Sequence, residues 1–151
     1  MSSPEELPDL FSAAGVVCAL PENTRALGHA LAQTLAAGSV VSLEGPLGAG
    51  KTQFSGGIVR GLGCEGEASS PSFALMHEYS GGRLPVFHFD FYRLDDVTEL
   101  LTSGFDDCVP AGVTIAEWGD KFPEVFPAGT LRLRFALLPE GGRRITGSRL
   151  P

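Results

Sequence analysis

Apolar residues return every four positions at Leu27, Leu31 and Leu35, with alanines beside them, a spacing that predicts an amphipathic helix. Pro21 and Glu22 open that pattern, Asn23 or Thr24 is placed to cap it, and Gly38 is expected to stop it. Ahead of it, the short apolar run 16–20 predicts an edge strand. Val40, Val41, Ser42, Leu43 and Glu44 predict a second strand, which runs straight into a glycine-rich loop. From Lys51 the period becomes helical again, with Phe54, Ile58 and Leu62 on one face and Gly63 as the stop. Further strands are expected at 74–79, 86–91, 113–117 and 131–138, and short helices at 97–102 and after Trp118. Residues 143–148, behind the Gly141-Gly142 turn, predict another edge strand. Strands alternating with helices predict a three-layer α/β fold with a mostly parallel central sheet.

Composition narrows this picture. A chain of 151 residues, 43% hydrophobic and 19% charged, has room for one core and ordinary globular chemistry. Residues 1–15, rich in Ser, Pro and acid, are expected to form a mobile tail ahead of a single domain over 16–151. The formal net charge of -7 disfavours direct contact with a phosphate backbone, so any RNA involvement is expected through a partner protein. No run approaches the ~18 apolar residues of a membrane span. The start of the chain has neither the basic nor the apolar region of a signal peptide. Cys18, Cys64 and Cys108 are scattered and show no metal-ligand spacing, which fits a reduced, cytoplasmic setting.

The loop carries the chemistry. Gly45-Pro46-Leu47-Gly48-Ala49-Gly50-Lys51-Thr52 matches G-x-x-x-x-G-K-[ST], between an apolar strand and an amphipathic helix. The glycines let successive N–H groups turn inward toward phosphate oxygens. The helix from Lys51 adds its positive end. Lys51 brings an ammonium for the β- and γ-phosphates, and Thr52 a hydroxyl for Mg2+. Guanine-specific proteins of this kind read the base with Asn-Lys-x-Asp. The only asparagine, Asn23, precedes the loop, so ATP and ADP are the expected nucleotides.

Magnesium also needs a carboxylate at a neighbouring strand end. Asp90 closes one apolar run and Glu117 another, and spacing does not say which of them touches the metal. The polar stretch Ser69-Ser70-Pro71-Ser72 lies where a segment sensing the γ-phosphate would sit, although such a stretch also suits a plain turn. His88 reads as a packed or hydrogen-bonded strand residue, and Trp118 as a core or rim aromatic. Two other functions share these motifs: a small-molecule P-loop kinase, and a nucleotide-dependent adaptor for which hydrolysis is irrelevant. The kinase reading lacks an arginine-bearing lid insertion.

In order and spacing, four stretches together resemble the bacterial TsaE (YjeE) ATPases of tRNA threonylcarbamoyladenosine biosynthesis. They are Leu43-Glu44 with the loop through Thr52, Ser70-Pro71-Ser72-Phe73, His88-Phe89-Asp90-Phe91-Tyr92-Arg93-Leu94, and Ala116-Glu117-Trp118. The resemblance covers roughly residues 16–138. It implies an ATPase, weak alone, that works with TsaD and TsaB and meets tRNA only indirectly. It implies a nucleotide site from Gly45, Pro46, Leu47, Gly48, Ala49, Gly50, Lys51, Thr52 and Gln53, with Ser72 and Trp118. It implies metal-site roles for Thr52, Glu117 and Asp90, catalytic roles for Lys51, Asp90 and Glu117, and a wall or partner contact from Tyr92 and Arg93. The chain departs from the family at Ser72, where a threonine is usual, and at Pro46, where the usual residue is acidic or amidic.

Overall fold

The computed structural model describes Phe11 and residues 14–66 and 75–151. The stretch 69–73, and with it Ser72, lies outside the described residues. Seven strands form one sheet: β1 (Val16–Cys18), β2 (Val40–Glu44), β3 (Met76–Tyr79), β4 (Val86–Asp90), β5 (Val113–Glu117), β6 (Leu131–Leu137) and β7 (Arg143–Arg149). Their spatial order is β1-β7-β6-β2-β5-β4-β3. The central strands β6, β2, β5 and β4 run parallel, while β1, β7 and β3 join the flanks antiparallel. Every position of β2 and β5 is buried, as expected of parallel strands covered on both faces, whereas the first five residues of β6 alternate.

One face lies under α1 (Pro21–Ala32) and α2 (Lys51–Gly61). Val41, Leu43, Ile115, Leu131 and Leu133 meet Leu31, Phe54 and Ile58 there. The two helices touch backbone to backbone. A Cβ added to Gly57 would lie 2.1 Å from the Arg25 carbonyl oxygen, and one added to Gly28 would lie 2.2 Å from that of Phe54. Glycine inside a helix costs about 1 kcal/mol against alanine, and here it permits this approach. The opposite face carries an aromatic cluster, with Phe87, Phe89 and Phe91 packed on Phe105 of α4 (Phe105–Cys108) and on Leu100 of α3 (Val97–Thr102). Phe122 and Phe126 close this cluster from the chain after β5.

Several expectations change. Helix α1 starts at Pro21, so neither Asn23 nor Thr24 precedes it. Asn23 instead reaches back from the first turn, its Oδ1 accepting from the Leu20 N–H at 3.0 Å. The helix ends at Ala32, well before Gly38, and Leu35 packs into the core from the following turn. Strand β7 is not an edge strand, because β1 pairs with its outer side. The stretch after Trp118 forms 3-10 turns at Gly119–Lys121 and Pro123–Val125 rather than an α-helix. Gly63 stops α2 as expected, at φ +80°, with the Cys64 N–H donating to the Val59 carbonyl at 3.0 Å. Phe11, within the expected tail, is buried against Phe54.

Candidate functional site

The glycine-rich loop leaves β2 at the carboxyl end of the parallel strands and enters α2 through Gly50, its N-cap residue. Gly45, Gly48 and Gly50 take φ of +143°, +80° and +98°, conformations that side chains resist. The N–H groups of Gly48 and Gly50 have no acceptor among the described residues. With the first turn of α2 they make a cradle of donors at the positive end of a helix. Ala49 is buried in the core, its N–H donating to the Pro46 carbonyl at 3.2 Å, so it braces the loop from behind. Leu47 is 80% exposed at the rim.

Lys51 is 4% exposed, and its Nζ donates to the Gly45 carbonyl at 2.5 Å. The ammonium lies 3.5 Å from the centre of the Trp118 ring, within cation–π range. It forms no ion pair among the described residues. Burial pushes the Lys51 pKa down, opposed by the negative charges of Glu117, Asp120 and Asp90.

The acids come from adjacent strands. The β4–β5 register sets Asp90 beside Glu117. Glu117 is buried: its Oε1 accepts from Thr52 Oγ1 at 3.2 Å and its Oε2 from His88 Nε2 at 2.5 Å. An ionised carboxylate only accepts, so this bond calls for the His88 tautomer with its proton on Nε2, and His88 Nδ1 is buried without a partner among the described residues. Asp90 Oδ1 accepts from the Tyr92 N–H at 2.9 Å. No group of three or more His, Cys, Asp or Glu side chains is arranged for a metal among the described residues. Thr52, Glu117 and Asp90 do supply the hard oxygen donors that Mg2+ takes when phosphates and waters complete its shell, so the donor set fits that ion.

Trp118 has φ +60°, the only positive value at a non-glycine residue among those described. For a bulky side chain this is strained, and tight packing behind it sustains the conformation. The next residue, Gly119, presses on β2 so closely that a Cβ there would lie 1.9 Å from Ser42 Oγ. The reversed backbone turns the indole back over Lys51, and Tyr92 packs beside it with ring centres 5.0 Å apart.

These groups surround a cleft of about 530 Å³, lined by Leu47, Gly48, Gly50, Lys51, Thr52, Gln53, Asp90, Glu117 and Trp118 of the expected set. Gly45, Pro46 and Ala49 do not line it. Tyr92 and Arg93 form a wall, and Gln53 accepts from Arg25 at 2.9 Å through its side-chain oxygen. Sequence reasoning missed two features. The His88–Glu117 bond required the strand register, and Arg143 of β7 enters the cleft from the far end of the chain. The alternation His88, Asp90 along β4, on the face shared with Glu117, was the available signal for the first.

The family model described as threonylcarbamoyl adenosine biosynthesis protein TsaE matches residues 18–145. Over 126 residues the chain is 38% identical to the tRNA threonylcarbamoyladenosine biosynthesis protein TsaE of Treponema pallidum, which covers 83% of this chain and 93% of that protein. It is also 38% identical over 127 residues to the protein of that name from Bacillus subtilis, covering 83% and 79%. The crystal structure of Bacillus subtilis YdiB shares the fold with a TM-score of 0.74 at 29% identity, covering 95% of this chain and 90% of that one. With a loop, acids and tryptophan converging in one cleft and a family match across most of its length, the chain belongs to the TsaE family.

Proposed function

We propose that this chain is a Mg-dependent, ATP-binding and ATP-hydrolysing subunit that supports threonylcarbamoyl transfer to the tRNA adenosine next to the anticodon, acting with TsaD and TsaB in the cytoplasm. The observation that carries the ATP reading is Lys51: a buried ammonium with no carboxylate partner among the described residues, set at a helix N-terminus above loop N–H groups that also lack acceptors. An unpaired buried cation is costly, and an entering phosphate chain offsets that cost. The tRNA role rests on the names of the relatives, and the partner pair on the family resemblance.

In this reading Lys51 and the N–H groups of Gly48 and Gly50 hold phosphate oxygens and stabilise charge on the phosphoryl group as it departs. Thr52 and Glu117 would hold Mg2+, with Asp90 at the adjacent strand end. When bound, the ion neutralises charge on the phosphate oxygens. His88 keeps Glu117 in place by occupying its second oxygen. Asp90, steadied by the Tyr92 N–H, orients the attacking water. Trp118 shields Lys51 from solvent until the phosphates arrive, and its movement with Tyr92 alters the surface presented to the partner pair.

Steady-state ATP turnover of the purified chain, alone and with a TsaD–TsaB pair, tests this. Turnover should be slow alone, rise with the pair, and vanish in Lys51→Ala. Turnover indifferent to the pair, or surviving in Lys51→Ala, would contradict the reading.

A further inference from the structure

Three residues in the first turn of α2, Lys51, Thr52 and Gln53, line the cleft, while the fourth, Phe54, is fully buried in the core. Whatever holds Phe54 therefore holds that turn. Its N–H donates to the Gly50 carbonyl at 2.9 Å, which links the ring's position to the N-cap. Two other rings pack against it. Phe135 of β6 meets it edge-on with ring centres 5.7 Å apart, and Phe11 meets it at 6.5 Å. Phe135 also backs the other end of the loop. A Cβ on Gly45 would lie 2.6 Å from the Phe135 carbonyl oxygen, and the Gly45 carbonyl is the one to which Lys51 Nζ donates. The three rings thus support both ends of the glycine-rich loop from behind.

Phe11 stands apart from the other two in sequence, ahead of the residues 18–145 that the family model matches. Its seat is nonetheless built. The residue is 2% exposed and lies over Gly147 of β7. A Cβ added there would come within 3.2 Å of both Phe11 Cβ and Leu133 Cδ2, so the glycine leaves room for the incoming side chain. Shortly after Phe11 the chain is fixed to β7. Arg144 Nη1 donates to the Ala14 carbonyl at 2.8 Å. Gly15, at φ +81°, lies so close that a Cβ would be 2.7 Å from the Ile145 carbonyl oxygen. Two glycines and an arginine bond together bring one aromatic ring to the helix that carries Lys51 and Thr52.

We propose that Phe11 is a positioning residue for the nucleotide site. By packing on Phe54 it fixes Lys51, Thr52 and the loop N–H groups in the geometry that phosphates require. This inference extends the nucleotide reading above and rests on it. Loss of the ring leaves a void beside Phe54, which lowers stability as any core void does. Here it also lets the first turn of α2 shift, and small displacements of binding groups weaken what they hold.

Calorimetric titration of ADP into wild type, Phe11→Leu, Phe11→Val and Phe11→Ala tests this, at a temperature where the proteins are folded. Phe105→Ala, a void in the aromatic cluster of the opposite face, serves as control. ADP affinity should fall stepwise with lost volume: little in Phe11→Leu, roughly fivefold in Phe11→Val and roughly tenfold in Phe11→Ala. Phe105→Ala, although destabilised, should stay within roughly threefold of wild type. Phe11→Val carries the test if the alanine variant does not fold. Lowered melting temperatures in the folded valine and alanine variants, with ADP affinity within about threefold of wild type, would make Phe11 a packing residue only. That result would overturn the proposal and leave the nucleotide reading intact. An equal loss of affinity in Phe105→Ala would also overturn it, because the effect would then follow stability rather than position. A wild-type chain that binds no ADP would overturn both this proposal and the nucleotide reading.

Discussion

The two faces of the sheet divide the labour. Under α1 and α2 the packing is mainly aliphatic and the helices meet through glycines, and this is the face to which His88, Asp90 and Glu117 point. Beneath, on the other face, aromatic rings fill the space under short helices and 3-10 turns, and among the described residues no charged side chain is buried in that cluster. The difference follows from the task of each side. Aligning backbone N–H groups and a lysine with two strand-end acids needs a helix fixed tightly to its neighbours, which close glycine contacts provide. Carrying Trp118 on a reversed backbone needs a firm floor but not a long helix, and bulky rings provide one with few residues.

This contrast can be broken from either side. Gly57→Val should have the largest effect. Its added atoms would press on the Arg25 carbonyl, forcing α1 and α2 apart and displacing the start of α2 with Lys51 and Thr52. Overpacking costs typically 1–3 kcal/mol and sometimes more. ADP affinity should fall at least roughly a hundredfold, because the cradle itself moves. Phe105→Ala, in the aromatic floor, should cost about 3–5 kcal/mol of stability by cavity formation. Measured on the folded protein, however, its ADP affinity should stay within roughly threefold of wild type, well under the 1.4 kcal/mol of a tenfold change. Denaturant unfolding and calorimetry on both variants make the comparison. Equal loss of ADP affinity in the two would mean the faces are not separate in function.

Much of this arrangement was legible in the residues, for physical reasons. The loop from Gly45 to Thr52 declares itself because its conformation demands glycines and its chemistry a lysine and a hydroxyl at fixed spacing. Strands β2, β4 and β5 are legible as short apolar runs, and Asp90 and Glu117 as acids that end such runs. Their adjacency depends on which strands pair, and local pattern does not encode that. The β7 misreading has the same origin: residues 143–148 look like an edge, and only the return of β1 along their outer side makes them interior. Arg143 was invisible for that reason. Asn23 misled because it resembles an N-cap in sequence, whereas Pro21 already occupies the first turn. Trp118 is readable as a rim aromatic, but its left-handed backbone is set by the contact between Gly119 and Ser42, far apart in the chain.

The central claim is that Lys51 rests on Trp118 and leaves it for phosphate. Trp118 is the single tryptophan of the chain, so the intrinsic tryptophan signal comes from the side chain on which Lys51 rests. The direct measurement is intrinsic fluorescence during titration with Mg-ATP, for wild type and for Lys51→Met. The account predicts a saturable change in wild type as the ammonium lifts from the ring, and no change in Lys51→Met, where there is neither cation to lift nor nucleotide bound. An unchanged signal in wild type while calorimetry records binding, or the same titration curve in both proteins, would contradict it.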